Sequence, residues 1–343
     1  MTRMIAVRLL ALSGTLCLLA LGCEDRTPEP ESPQVSSGGE AARHSLEAAE
    51  IYIAAGNIDK ARAILSRLIK KSPRDARAYE IMARLEIDRA LDLRELGLVD
   101  ASRDQFGVSY GWYQKALERM PESGGLHQSA GEVAQQAGLN DEALALYLQA
   151  IELDQENIRS QLSAAQLLLQ DDPARSEALL RSVLETDADQ PHALSSLALV
   201  LQRQGRETGA LETASQALAV AGEKSGVRIA VARVHREAGR PRIALELLLA
   251  LPDNVRAQES ATAEIAKSWE AVDRPINAGQ AWADCFRGNA HRTDAWRYAL
   301  NAADAMGRAG QTAVAASWLE QAVMLDAPTN RVDEVRSRIA GNN

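Results

Sequence analysis

Residues 42–75 read ARHSLEAAEIYIAAGNIDKARAILSRLIKKSPRD, a block of 34 positions that sets the period of the chain. Ala48, Ala49 and Tyr52 stand at places 7, 8 and 11, Gly56 at place 15, Ala61, Leu65 and Leu68 at places 20, 24 and 27, and Pro73 at place 32. The first three share one face of a helix, and so do the three after the glycine. The glycine permits a left-handed turn between the two helices, and the proline closes the second. The same frame returns downstream. Residues 124–157 place Ala130, Gly131, Gly138, Ala143, Tyr147 and Ala150 in it. Residues 191–224 place Leu197, Ala198, Leu201, Gly205, Ala210, Ala214 and Ala217, and residues 225–258 place Val231, Ala232, Gly239, Ala244 and Leu248, with Leu251 at place 27. Small residues at places 8 and 20 let paired helices approach closely. One hairpin cannot bury both of its faces, so neighbours must stack, and the chain is expected to be an all-α protein, an α-solenoid.

This pattern is similar to the tetratricopeptide repeat, and the resemblance implies a right-handed superhelix of antiparallel helix pairs. Eight repeats are expected over 42–329 and a capping helix with tail over 330–343, where Val332, Val335 and Ile339 stand among charged residues. Repeat four is one residue short, with Asp172-Pro173 opening its second helix. Repeat seven carries Asp273 where glycine is usual, and repeat eight is expected to gain about three residues around Gly307 to Gly310. Repeat two, 76–123, runs to 48 residues, 14 beyond the period. Split between two helices, that is about two turns each, roughly 10 Å, so the hairpin should project. Leu96, Leu98, Val99 and Phe106 are the expected docking tip.

The N-terminus carries an address. Arg3 and Arg8 precede an apolar run, Leu9–Gly22, too short for the roughly 20 residues of a membrane span and suited to a cleaved signal. Leu19-Ala20-Leu21-Gly22-Cys23 resembles the lipobox of bacterial lipoproteins, which implies a signal peptide over 1–22, acylation of Cys23 and a place in the bacterial cell envelope. It departs from the pattern at Ala20 and Leu21. Residues 23–41, with Pro28, Pro30, Pro33 and a Ser-Ser-Gly-Gly stretch, are expected to be a tether. The remaining cysteine, Cys285, occupies a small buried helix place and has no disulfide partner.

Composition narrows the function. The net charge is −9, and −11 once Arg3 and Arg8 are set aside, which disfavours binding to nucleic acid. Aromatics make up 4% of residues, with two Phe, in keeping with thin Ala- and Leu-packed layers. The five histidines, at 44, 127, 192, 235 and 291, are dispersed. There is no HExxH, GxSxG or phosphate-cradling glycine loop, so no catalytic centre, metal, cofactor or small-molecule substrate is expected. His235 reads as a satisfied core histidine.

Recognition by a surface remains. In the family that the repeats resemble, the first helix of each pair builds the inner wall. Projected there, repeats three and four present Gln128, Glu132, Gln135, Gln136, Arg159, Gln166 and Gln170. Repeats five to eight present Gln202, Arg203, Arg233, Arg236, Lys267, Arg297 and Asn301. Glutamine can both donate to and accept from a peptide backbone, and Arg forks pair with carboxylates. The expected partner is therefore another protein or an extended, acidic peptide segment. Against this stands neutralisation of the cations by Glu237, Glu270 and Asp304. Two other readings compete: a self-associating structural subunit, and an envelope enzyme or carbohydrate binder using Trp112, Trp269, Trp282, Trp296 or Trp318.

Overall fold

Each 34-residue block becomes a pair of antiparallel helices. The computed structural model describes residues 37–341 apart from Glu223; the signal segment and Cys23 lie outside these residues. The pairs are α1 (Ser37–Ala54) with α2 (Ile58–Lys71), α3 (Ala76–Glu95) with α4 (Val99–Leu117), α5 (Gly124–Gln136) with α6 (Asn140–Leu153), and α7 (Ile158–Leu168) with α8 (Pro173–Thr186). They continue as α9 (Pro191–Arg203) with α10 (Glu207–Ala221), α11 (Ser225–Glu237) with α12 (Pro241–Leu249), α14 (Glu259–Ala271) with α15 (Pro275–Asn289), and α16 (Trp296–Arg308) with α17 (Thr312–Met324). A short α13 (Asp253–Arg256) follows α12, and α18 (Thr329–Gly341) ends the ladder. Helix α1 begins at Ser37, inside the 23–41 stretch expected to be a tether, and the rest of that stretch lies outside the described residues; Glu40, Ala41 and Ala42 are strong helix formers.

Local chemistry sets the boundaries. At the last place of a block, Asp75, Ser123, Asn157 and Gln190 each accept a hydrogen bond from a backbone N–H of the following helix. Seven of the eight pairs turn through a left-handed residue; the α7–α8 turn has none. Gly56 has φ +73°, its N–H donates to Ile53 O at 2.9 Å, and the Asn57 N–H donates to Tyr52 O at 2.8 Å, which caps the orphan carbonyls of α1. Asp273 does the same work at φ +56° despite its Cβ.

The close-approach places are fully buried: Ala49, Ala61, Ala143, Ala210, Ala244, Ala278 and Ala315 all have 0% exposure. In repeats two and four, serines occupy the crossing. Ser109 Oγ donates to Ala83 O at 2.8 Å, and Ser176 Oγ to Ala165 O at 2.7 Å, so no hydroxyl is left orphaned there. Core side chains run on from one pair to the next, from Ala165 of α7 through Leu197 and Ala214 to Val234 of α11. That continuity makes the ladder one solenoid.

Three departures from the expected frame stand out. Helix α12 ends at Leu249, ahead of Pro252, so Leu251 falls beyond it, yet it stays 3% exposed. In repeat eight the extra residues precede the pair. The turn glycine is Gly310, at φ +72°, while Gly307 lies within α16, packed against Ile339 of α18. The insertion therefore sits between α15 and α16, because the tight Gly307–α18 contact keeps α16 unbroken. His235 is not a satisfied core histidine: its Nδ1 is buried without a hydrogen-bond partner, and burial together with Arg240 holds the imidazole pKa below 6.5.

Candidate recognition groove

Which wall is concave follows from packing. In the middle of the ladder the first helices of successive pairs touch, α7 with α9, α9 with α11 and α11 with α14, while no two successive second helices make a comparable contact. Helices crowd on the inside of a curve, so the first helices line the groove.

The N-terminal stretch of this wall is built from paired polar groups. Gln128 Nε2 donates to Glu132 Oε1 at 3.0 Å, and Arg159 pairs with Glu132 at 3.1 Å. Gln135 accepts from the Tyr147 hydroxyl at 2.9 Å and Gln136 from Arg94 at 2.8 Å. Leu91, Arg94 and Phe106 of the long hairpin join Gln135, Gln136 and Arg159 around a cleft of about 400 Å³. Further along, Gln170 accepts from Arg203 at 2.6 Å, tying repeat four to repeat five. Gln166 and Arg233 border a second cleft, about 360 Å³, whose apolar bed is Leu169, Leu199 and Ile229. The Gln202 Oε1 is buried without a hydrogen-bond partner.

The cations of repeats six and seven converge on a carboxylate that sequence reading passed over. Glu264, 1% exposed, receives Arg233 Nε on Oε1 at 3.1 Å, Arg236 Nε on Oε2 at 3.0 Å, and Lys267 Nζ on Oε1 at 3.1 Å. Burial pushes its pKa up, but the fields of Arg233, Lys267 and Arg236 outweigh burial and hold it below 4.5. Arg236 also pairs with Glu237 at 3.0 Å, so three cations meet two carboxylates and the cluster keeps a net charge of +1. Arg233 meets Glu264 through Nε, and among the described residues no hydrogen bond engages its terminal nitrogens. Of the other proposed neutralisers, Glu270 pairs with Arg308 and Asp304 with Arg308 and Arg338, none of them groove cations. Arg297 stands apart, 3.9 Å from Asp294 and 5.5 Å from the Trp296 ring centre, and neither it nor Asn301 is bonded to the cluster. The signal for Glu264 was its place three residues before Lys267, on the wall rather than in the core stripe.

The family model described as tetratricopeptide repeat matches residues 39–85. A tetratricopeptide repeat protein from Parabacteroides merdae superposes with a TM-score of 0.60 over 77% of this chain and 99% of that one, at 12% identity. The fold of this chain is that of a tetratricopeptide-repeat solenoid. The solenoid of the APC/C hetero-tetramer Cut9-Hcn1 is similar at a TM-score of 0.56 and 10% identity, over 89% of this chain and 57% of that one. A monomeric mutant of IFIT1 with Gppp-AAAA is similar at 0.54 and 16% identity, over 81% of this chain and 68% of that one. No curated protein matches the sequence. At these identities the likeness is one of fold.

Elsewhere on the tetratricopeptide-repeat solenoid the expected tip divides. Leu96 and Leu98 are 74% and 51% exposed, and Val99 is half-buried. Phe106 is no tip residue: it is 2% exposed, packed with Tyr79, Ala83 and Val133 beneath the Arg94 guanidinium, because its place on α4 faces α3 and α5. Cys285 is 2% exposed, and burial first, then Glu259 and Asp284, pushes its thiol up to about 12. Trp282 is packed and donates to Glu270 at 2.8 Å; Trp318 meets Phe286 edge-on. Among the described residues no helix is long and apolar enough to cross a membrane, and no three His, Cys, Asp or Glu are grouped to hold a metal.

Proposed function

We propose that the chain is a lipid-tethered scaffold of a bacterial envelope that holds partner proteins or extended peptide segments in its groove, without catalysis of its own. The observation that carries this reading is the Glu264 cluster. A buried carboxylate holds Arg233, Arg236 and Lys267 in place on the inner wall with a surplus positive charge, although the chain as a whole is acidic. Pre-positioned guanidinium groups lose little entropy on meeting a carboxylate. The adjoining bed of Leu169, Leu199 and Ile229 suits an apolar side chain of the same segment. The preferred ligand is thus an extended stretch with an acidic group next to an apolar one.

The tether rests on the lipobox-like LALGC ending at Cys23. Cys23→Ala should leave the protein unlabelled by a fatty-acid analogue and release it from the membrane fraction; unchanged labelling and fractionation would remove the tether from the account. For the groove, Arg233→Glu with Arg236→Glu should abolish crosslinking of native partners in cells of the source organism while thermal unfolding still shows a folded solenoid. Capture of every partner at wild-type yield would contradict the groove reading.

A further inference from the structure

The long hairpin of repeat two ends against the far end of the solenoid. Helices α3 and α4 have 20 and 19 residues, where α5 and α6 have 13 and 14. Seven extra residues in α3 and five in α4 add about 7.5–10.5 Å at 1.5 Å each. The turn at their end is Gly97, at φ +77°, and a Cβ built there would lie 3.9 Å from Cγ of His291, in the loop joining α15 to α16. Gly97 is half-covered, while Leu96 and Leu98 on either side of it are open to solvent.

The topology explains the meeting. Turns within a pair lie on one edge of a solenoid, and turns between pairs lie on the other. When the ladder curls through about one superhelical turn, the first edge of an early repeat faces the second edge of a late one across a gap. Pairs of ordinary length leave that gap open. Repeat two is the pair lengthened within this ladder, and its added turns span the distance.

We infer that hairpin α3–α4 is a strap that closes the groove into a ring by seating Gly97 on the His291 loop, so that the ring admits an extended chain through its open faces and excludes a folded domain from the side. This rests on the groove reading above and specifies the shape of the partner. The strap also furnishes part of the wall it closes, through Leu91, Arg94 and Phe106 around the cleft shared with Gln135 and Arg159. Glycine is suited to the tip because its backbone is left-handed; a Cβ there would make only ordinary van der Waals contact with the imidazole. Among the described residues no hydrogen bond or ion pair joins tip to loop, so closure is a contact of surfaces.

The test is a pair of cysteines, Gly97→Cys with His291→Cys, in the full-length protein. Mild oxidation should produce the disulfide between positions 97 and 291 in most molecules, mapped by mass spectrometry, because a Cβ at 97 lies 3.9 Å from Cγ of His291, the place that a cysteine sulfur would take; Cys285, buried, should not compete. Since a side chain at 97 strains the turn, Leu96→Cys with His291→Cys, each spin-labelled, supplies a second readout, a single narrow distance population under about 25 Å. Absence of the 97–291 disulfide together with a broad, long distance distribution would overturn the strap. Partner shape is read by a benzoyl-phenylalanine photoprobe at Arg203 in native cells. Locking the ring should leave the probe's protein adducts intact. Loss of adducts on locking, reversed by reductant, would overturn threading. No adducts in either state, with the disulfide still forming, would count against the groove and not against the strap.

Discussion

Gly131 on α5 lies against the ring of Tyr147 on α6: a Cβ at 131 would sit 2.8 Å from Cε1 and 2.9 Å from Cδ1. Tyr147 is 0% exposed and its hydroxyl donates to Gln135, so the ring has nowhere to swing. Gly131→Ala should therefore destabilise the protein by about 1–3 kcal/mol through overpacking. Thermal unfolding followed by circular dichroism checks this; an unchanged midpoint would mean that the pair is looser than it looks.

The C-terminal cap supplies a contrast. A Cβ at Gly307 would collide with the branched Ile339 side chain on α18, whereas one at Gly279 would meet the flexible end of Met306, with Cε 2.8 Å away. Gly307→Ala should loosen α18 and raise hydrogen exchange at Val332 and Val335, both of which are buried. Gly279→Ala should cost less, since a thioether repacks more readily than a β-branched chain. The reverse order in melting temperature would contradict the assignment of α18 as a packed cap.

At Asp273 the backbone is left-handed, φ +56°, at the place where Gly56, Gly138, Gly205 and Gly239 stand in other pairs. Asp273→Gly removes a Cβ from that conformation and should stabilise the protein by about 0.5–1 kcal/mol. Guanidinium melts of the two proteins compare directly. A loss of stability would show that the Asp273 side chain contributes more than its conformation costs.

Glu264 links charge to stability. Its pKa is depressed in the folded chain, so its contribution is present above 4.5 and is lost as pH falls through the lower folded value. Glu264→Gln should cost about 1.5–3 kcal/mol at pH 7, the range for hydrogen bonds to charged groups. The difference from wild type should shrink as pH drops below 4.5, because the unfolded carboxyl takes up a proton there, and should level off once the native carboxyl is protonated as well. A difference that stays constant down to pH 3 would mean that the cost arises from packing.

Periodicity made the fold legible because every pair solves the same problem with the same residue types at the same places. Gly56 and Ala61 announce a turn and a close approach before any coordinate is known. Two kinds of feature escaped. Glycines suggest loops, which draws the shift in repeat eight to Gly307–Gly310, whereas Gly307 is small in order to admit Ile339. The partner of the groove cations escaped because Glu264 lies in the repeat after Arg233 and Arg236, and a one-dimensional frame pairs charges along a helix more easily than across the wall. Phe106 shows a third difficulty, since apolar residues at a hairpin end serve core and surface alike.

The central claim is that partners are held on the wall of first helices. Benzoyl-phenylalanine at Arg203 on α9 and, separately, at Glu212 on α10 measures this most directly, with photolysis in cells of the native source. The account predicts discrete protein adducts from position 203, lost when Arg233→Glu and Arg236→Glu are added, and none from 212. Equal adducts from both positions, or adducts at 203 indifferent to the charge reversal, would contradict it.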